Sequence, residues 1–529
     1  MTISNKTEQM FGNTKPNKCS EIRFLCFLTF LLLFPFYNKA ISSDAIFYIY
    51  TARQILKEPA KPFSFTINCA DKNYSGWDVA NNPPLISYFL AGVIKIFGEN
   101  EKALHLAFLC FAILSVVGMY FLARKLKTDP LFSALLLIAS PAFFVNATDI
   151  MLDVPLITFS VWGIYFCIRE KYLGWLLLGF TILIKFVALI NLGLLFVWFL
   201  LNKTLKKNIG FFIIPILFLV AWSLHNKFVY NELQILKKSV SIGISFGLVK
   251  EIPLLTYIGG AFVFPLSILW LGYQLKKSAV WLFLVVFATG TFFFDLLGYT
   301  KLQNFLFGLF SSSAILLFFV FIRSLKKWDY QKEIIFLVSW FFLYLFFFVA
   351  VSAIIAVRYL LPLLPPVILL FVKISDICLK HKIFLITTVI IGLILSFLIA
   401  QSDYILANSY RNISEYIKKG YADKSVYFTG HLGFQYYMER NGFYAVESDS
   451  KNYASGSLIV CPVLPVPQKI HPVIVKRLKL VEQKYILTKN PFKTMSPLAQ
   501  AGFHLNMYGL LPYSFSRIPV EKFTIYEIR

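Results

Sequence analysis

HLAFLCFAILSVVGMYFLARKLKTDPLFSALLLIASPAFFVN, residues 105–146, decides the fold. Two apolar runs, 105–123 and 131–146, are parted by RKLKTD, a turn with three cations and one acid. About 20 apolar residues are needed to cross a bilayer as a helix. In hydrocarbon every backbone polar group must find its partner within the segment, so such runs read as helices. The short basic turn between them is the signature of a cytoplasmic connection.

The same pattern extends in both directions. Comparable runs lie near 23–39, 154–168, 173–185, 187–201, 209–225, 254–274, 279–297, 304–322, 334–356, 359–374 and 383–400, which brings the expected number of spans to about thirteen. Composition agrees: the 529 residues are 58% hydrophobic and only 15% charged, with a mean hydropathy of +0.68. A soluble chain of this size has no means of burying so much apolar surface, so the bilayer must be much of its solvent. The formal charge of +24 is no sign of a nucleic-acid partner, because no compact basic cluster interleaves with aromatics.

Charge sets the orientation. With the N-terminus in the cytoplasm, the connections on that side are RKLKTD, REKY, NKTLKKN, QLKKS, RSLKKWDYQKE and KISDICLKHK, and each carries at least two Lys or Arg. That is the positive-inside pattern. The expected domains are a cytoplasmic segment 1–22, a transmembrane domain 23–400 with an outer loop 40–104, and an extracytoplasmic domain 401–529. The first run is read as a retained span and not as a signal peptide, because YNKAISS offers no small-x-small cleavage site. In the tail, SVYFTG, SLIVCPVL and FTIYEIR read as strands and HLGFQYYMERNGF as a short helix, a small α/β domain. The seven cysteines show no metal-ligand spacing. Cys69 and Cys461 both fall in regions placed outside and could pair, though nothing in the sequence brings them together.

Candidate functional residues gather at the outer boundary. Asp44 stands a few residues beyond the first span, at the depth of lipid headgroups, where a reaction on a lipid phosphate needs a base. It is equally well placed to cap the helix that follows. In NATDIMLDVPLITF, Asp149 and Asp153 are four apart, hence on one face of a helical turn; Asp153 could also be an N-cap. Departure of a phosphate needs fixed positive charge. Arg358, with Tyr359 beside it, is the best candidate, and Lys185 and Lys301 follow. Snorkelling at a span end is the alternative for each cation. Pro83 and Pro84 break the outer loop ahead of an apolar helix from Leu85 to Phe97.

Taken in order, Asp44, NNPPL, FGENEKALHL, YFLARKL, ATDIMLDVPLITF, GFTILIKFVAL and RYLLPLLPPVILL resemble the GT-C fold glycosyltransferases of the protein O-mannosyltransferase and lipid A aminoarabinose transferase type. The resemblance covers most of 41–200 plus 357–370. It implies a GT-C-like helical membrane protein that transfers a sugar, with inversion, from a polyprenyl-phosphate donor to a protein, lipid or glycan acceptor at the outer face of the plasma (inner) membrane. It implies Asp44 and Asp153 as catalytic residues, and Asp149, Arg358, Tyr359 and Lys185 as substrate-binding ones. Two departures stand out. Ala45 follows Asp44 where mannosyltransferase relatives often carry a second acid. Asn81 and Asn82 stand where aminoarabinose transferases have a glutamate and a lysine, which argues against that sugar and leaves a divalent metal open. The competing readings are a lipid or glycan transporter, and an O-antigen ligase-like transferase whose basic loop would hold Lys227, Lys237, Lys238 and Lys250.

Overall fold

The computed structural model describes residues 18–237, 251–327, 331–352, 354–379 and 382–529. Most of the segment read as cytoplasmic, and Lys238 and Lys250 of the basic loop, lie outside the described residues. The chain is a polytopic helical membrane protein. Among the described residues, eight helices are long and apolar enough to cross a membrane by length and composition, or ten if each of two bent pairs is one span. The remaining runs read from the sequence fall on the shorter helices Asp153–Ile168, Tyr172–Ile182 and Phe186–Leu201.

The helix Glu101–Lys125 shows why these boundaries fall where they do. Asn100 caps it, its Oδ1 accepting from the Lys102 and Ala103 amides, and Arg124 and Lys125 complement the dipole in its last turn. Lys127 then turns left-handed. Asp129 caps the next helix through the Phe132 amide, with Pro130 in its first turn. That helix, Pro130–Ala139, breaks at Pro141 and resumes as Pro141–Ala147 at 66°. Proline cannot continue the hydrogen-bond ladder, so the freed Ala139 carbonyl accepts from Ser396 Oγ at 2.8 Å. Ser140 Oγ donates to the Ala261 carbonyl at 2.9 Å, which ties this bend to a second one, Glu251–Ala261 against Pro265–Leu275 at 87°. Broken helices are tolerated at membrane depth only when neighbours satisfy the freed groups in this way.

The last helix, Lys382–Gly420, is 39 residues long. The boundary expected at 400 falls inside it: the change to polar residues there marks a change of surroundings and not the end of the helix. Beyond it stands a five-stranded sheet in the order Tyr444–Ala445, Val426–Phe428, Leu458–Pro462, Glu521–Ile528, Leu478–Ile486. The first three strands are parallel and the last two pairings antiparallel. The helix Leu432–Arg440 leaves this sheet and lies against the chain just before Asp44. A Cβ at Gly433 would run into the Ile41 carbonyl, so only glycine permits the contact.

Gly433→Ala is therefore expected to cost about 1–3 kcal/mol, the usual price of overpacking. Gly420→Ala, with open space around its Cβ, should stay within about 0.5 kcal/mol of the parent. Thermal unfolding of the two variants in detergent checks the difference.

Candidate active site

After its first span the chain passes through Ser43, which adopts a left-handed φ of 48°, into the helix Ala45–Lys57. Asp44 holds the N-cap position of that helix, yet its side chain makes no capping bond. Its Oδ2 instead accepts from Arg358 Nη2 at 2.6 Å. The bland reading of Asp44 as a cap is thus set aside by geometry.

Arg358 comes from the 3-10 turn Val357–Leu363. That turn is fixed by the bond from the Val357 amide to the Phe503 carbonyl at 2.9 Å. Its Nη2 also lies 3.3 Å from the Tyr359 hydroxyl. The Tyr359 ring has Lys185 Nζ at 4.5 Å and the Arg358 guanidinium at 4.9 Å from its centroid, a favourable seat for cations. Lys185 stands at a helix interruption in extended backbone and donates to Asp153 Oδ1 at 2.6 Å. Asp153, in the first turn of Asp153–Ile168, makes no cap. Its Oδ2 and Arg358 Nε lie 3.9 Å apart, and neither has a hydrogen-bond partner among the described residues.

Five of the six residues that the resemblance implies therefore share one site. They line a cavity of about 520 Å³, together with Asn81, Asn82, Pro83 and Pro84 of the outer loop. That is the size of a small-molecule site. Within it the Asp44 side chain is 38% exposed, whereas those of Arg358 and Asp153 are 6% and 2%. Asp44 is the accessible carboxylate; the others are held in the wall. Asp149 stands apart. It is buried, does not line this cavity, and accepts from Ser42 Oγ at 2.7 Å and pairs with Lys39 at 2.6 Å.

Several lining residues escaped the sequence. Tyr48 could have been found, being one helical turn beyond Asp44. His431, Gln435 and His504 could not, because the C-terminal domain brings them from far along the chain. Burial lowers the pKa of His431, against the opposing pull of Gln435, the Ala70 carbonyl and Asp71. Its nitrogens lie 3.3 Å from Gln435 Oε1 and 3.4 Å from the Ala70 carbonyl. Cys69, also in the wall, is pushed up to about 11, first by burial and then by Asp44 and Asp71. It is free, as is Cys461.

Lys185→Met should leave Asp153 buried against a weakened set of cations, at a cost of about 3–5 kcal/mol. Adding Asp153→Asn should restore most of that stability. The double-mutant cycle, read by thermal unfolding in detergent, measures the coupling.

Residues 81–226 match the family described as dolichyl-phosphate-mannose-protein mannosyltransferase. The matched segment holds Asp149, Asp153 and Lys185 but neither Asp44 nor Arg358. No curated protein sequence matches the chain. Among solved structures it is similar to ArnT from Cupriavidus metallidurans bound to undecaprenyl phosphate, at 13% identity over 84% of this chain and 94% of that one, TM-score 0.40. It is similar also to the Archaeoglobus fulgidus oligosaccharyltransferase tethered with an acceptor peptide (10% identity, 81% and 63% covered, TM-score 0.45). A third is the arabinofuranosyltransferase AftD from Mycobacteria (10% identity, 96% and 40% covered, TM-score 0.43). These likenesses are distant and bear on no residue. The family match, over the segment it covers, bears out the resemblance read from the sequence, to the GT-C glycosyltransferases that use polyprenyl-phosphate sugars.

Proposed function

We propose that this protein is a membrane glycosyltransferase that moves a sugar from a polyprenyl monophosphate to an acceptor hydroxyl, at the extracytoplasmic face of the plasma membrane. The observation that carries the reading is the convergence of Asp44, Arg358, Tyr359, Lys185 and Asp153 on one cavity from four separate stretches of chain. The basic cytoplasmic connections support the outward placement, and a lipid-linked donor suits a compartment without nucleotide sugars.

In the proposed step the phosphate of the donor enters beside Arg358, Tyr359 and Lys185. Guanidinium matches phosphate geometry, and Lys185 adds a point charge. As the phosphate draws on Arg358, the Asp44 carboxylate is released to accept the proton of the acceptor hydroxyl. The acceptor oxygen forms its bond to the anomeric carbon while the bond from that carbon to the phosphate oxygen breaks. The electron pair leaves with the polyprenyl phosphate, where the cations stabilise it. Attack opposite the leaving group inverts the configuration. Asp153 orients Lys185 and Arg358. The steps are carried by the chain's own side chains, both cavity carboxylates being already paired with cations.

Asp44→Asn in proteoliposomes should reduce transfer by about 10²-fold or more while leaving membrane insertion intact. Polyprenyl-monophosphate sugars should serve as donors and diphosphate-linked glycans should not. Full activity in Asp44→Asn would remove that residue from the mechanism. Exclusive use of the diphosphate donor would favour the ligase-like reading.

A further inference from the structure

A second charged cluster lies behind the cavity wall, and the proposed transfer makes no use of it. Lys39 Nζ stands 2.6 Å from Asp149 Oδ1 and 2.6 Å from Asp403 Oδ2, and 3.0 Å from Thr148 Oγ1. Asp403 Oδ1 accepts from Thr494 Oγ1 at 2.9 Å and lies 2.8 Å from His504 Nε2. Lys39, Asp149, Asp403 and His504 are all buried.

Single ligand atoms of Asp149, Asp403 and His504 lie within 4.8 Å of one another. Two carboxylates and an imidazole are a donor set suited to a divalent transition metal. Asp149 Oδ2 is buried without a hydrogen-bond partner among the described residues, as a carboxylate built to face a cation would be. The Lys39 ammonium nevertheless sits against both carboxylates, where an ion would bind.

The cluster reaches Asp44 through the backbone. Asp149 Oδ1 also accepts from Ser42 Oγ, the Ile41 amide donates to the Tyr437 hydroxyl at 2.8 Å, and the Ala40 amide donates to Asn408 at 3.1 Å. Residues 39–42 are therefore each held in place, directly ahead of the left-handed Ser43. A non-glycine residue in that region is strained and persists only where its surroundings impose it.

We propose that Lys39 is the resident cation of the Asp149–Asp403–His504 ligand set, filling with a side chain the place of a divalent ion, and that through Asp149 and Ser42 it is a positioning residue for Asp44. The second half rests on the proposed glycosyl transfer; the first does not. Zn²⁺ is titrated onto purified wild type, Lys39→Ala and Lys39→Ala/Asp403→Asn, and the metal retained after gel filtration is counted. Lys39→Ala should retain about one Zn²⁺ per chain. The wild type and the double variant should retain none at this site, and a chelator should leave the wild-type Tm unchanged. Stoichiometric Zn²⁺ on the wild type, a Tm that falls with chelator, or a folded Lys39→Ala without Zn²⁺ would overturn the assignment. If Lys39→Ala does not fold, the two wild-type measurements decide alone. In the transfer assay Lys39→Ala should lose about 10²-fold in kcat with the donor KM little changed, and Zn²⁺ should restore part of the loss. An unchanged kcat, in an assay where Asp44→Asn is inactive, would sink the positioning role and leave the proposed function standing.

Discussion

Charge buried in an apolar helical domain is the constraint on which this structure depends. An ion taken from water without a partner costs several kcal/mol even after relaxation, and Asp149, Asp153 and Asp403, all buried, are each met by a cation. Asp44, Arg358, Asp153 and Lys185 form one such run of opposite charges; Lys39 between Asp149 and Asp403 forms another. The first lies where helices stop. Asp44 stands at the start of a helix, Asp153 in the first turn of another, Lys185 in a break and Arg358 in a 3-10 turn. Interrupted helices free backbone groups that need polar company, so interruption and charge belong together at membrane depth.

That coupling explains how much of the site was legible in the sequence. Asp44, Asp153, Lys185, Arg358 and Tyr359 are polar residues at the edges of apolar runs, where a reader looking for boundary chemistry would stop. Asp149 sat in the same stretch and shared the same signal, yet its carboxylate faces Lys39 and not the cavity. Spacing of four put it on a helical face with Asp153, but the chain is not helical between Thr148 and Leu152, so the common face does not exist. Lys39, the last residue of the first apolar run, was not singled out. Its partner Asp403 is 364 residues away, a separation that no local pattern encodes.

The membrane segments were legible for a related reason. Each apolar run fell on a helix or a bent pair, because hydrocarbon leaves the backbone no other way to satisfy itself. What periodicity could not convey was the bending. Pro141 and Pro265 were visible, but the 66° and 87° turns they permit depend on Ser140, Ser396 and Ala261 meeting across helices.

The C-terminal domain has the least obvious relation to the site and bears on it most directly. Read as a sequence it was a small α/β domain that held none of the candidate residues. In the structure its helix Leu432–Arg440 presses Gly433 against Ile41, three residues before Asp44. Its His431, Gln435 and His504 face the cavity, and the Phe503 carbonyl holds the turn that bears Arg358. Asp403, on the helix that enters the domain, completes the cluster around Lys39. Both ends of the Asp44–Arg358 pair are thus fixed by this one domain. A displacement of the sheet against the helices would move the proposed base and the proposed phosphate ligand together. Under the proposed transfer, its share of the cavity lining makes this domain a candidate for contact with the acceptor.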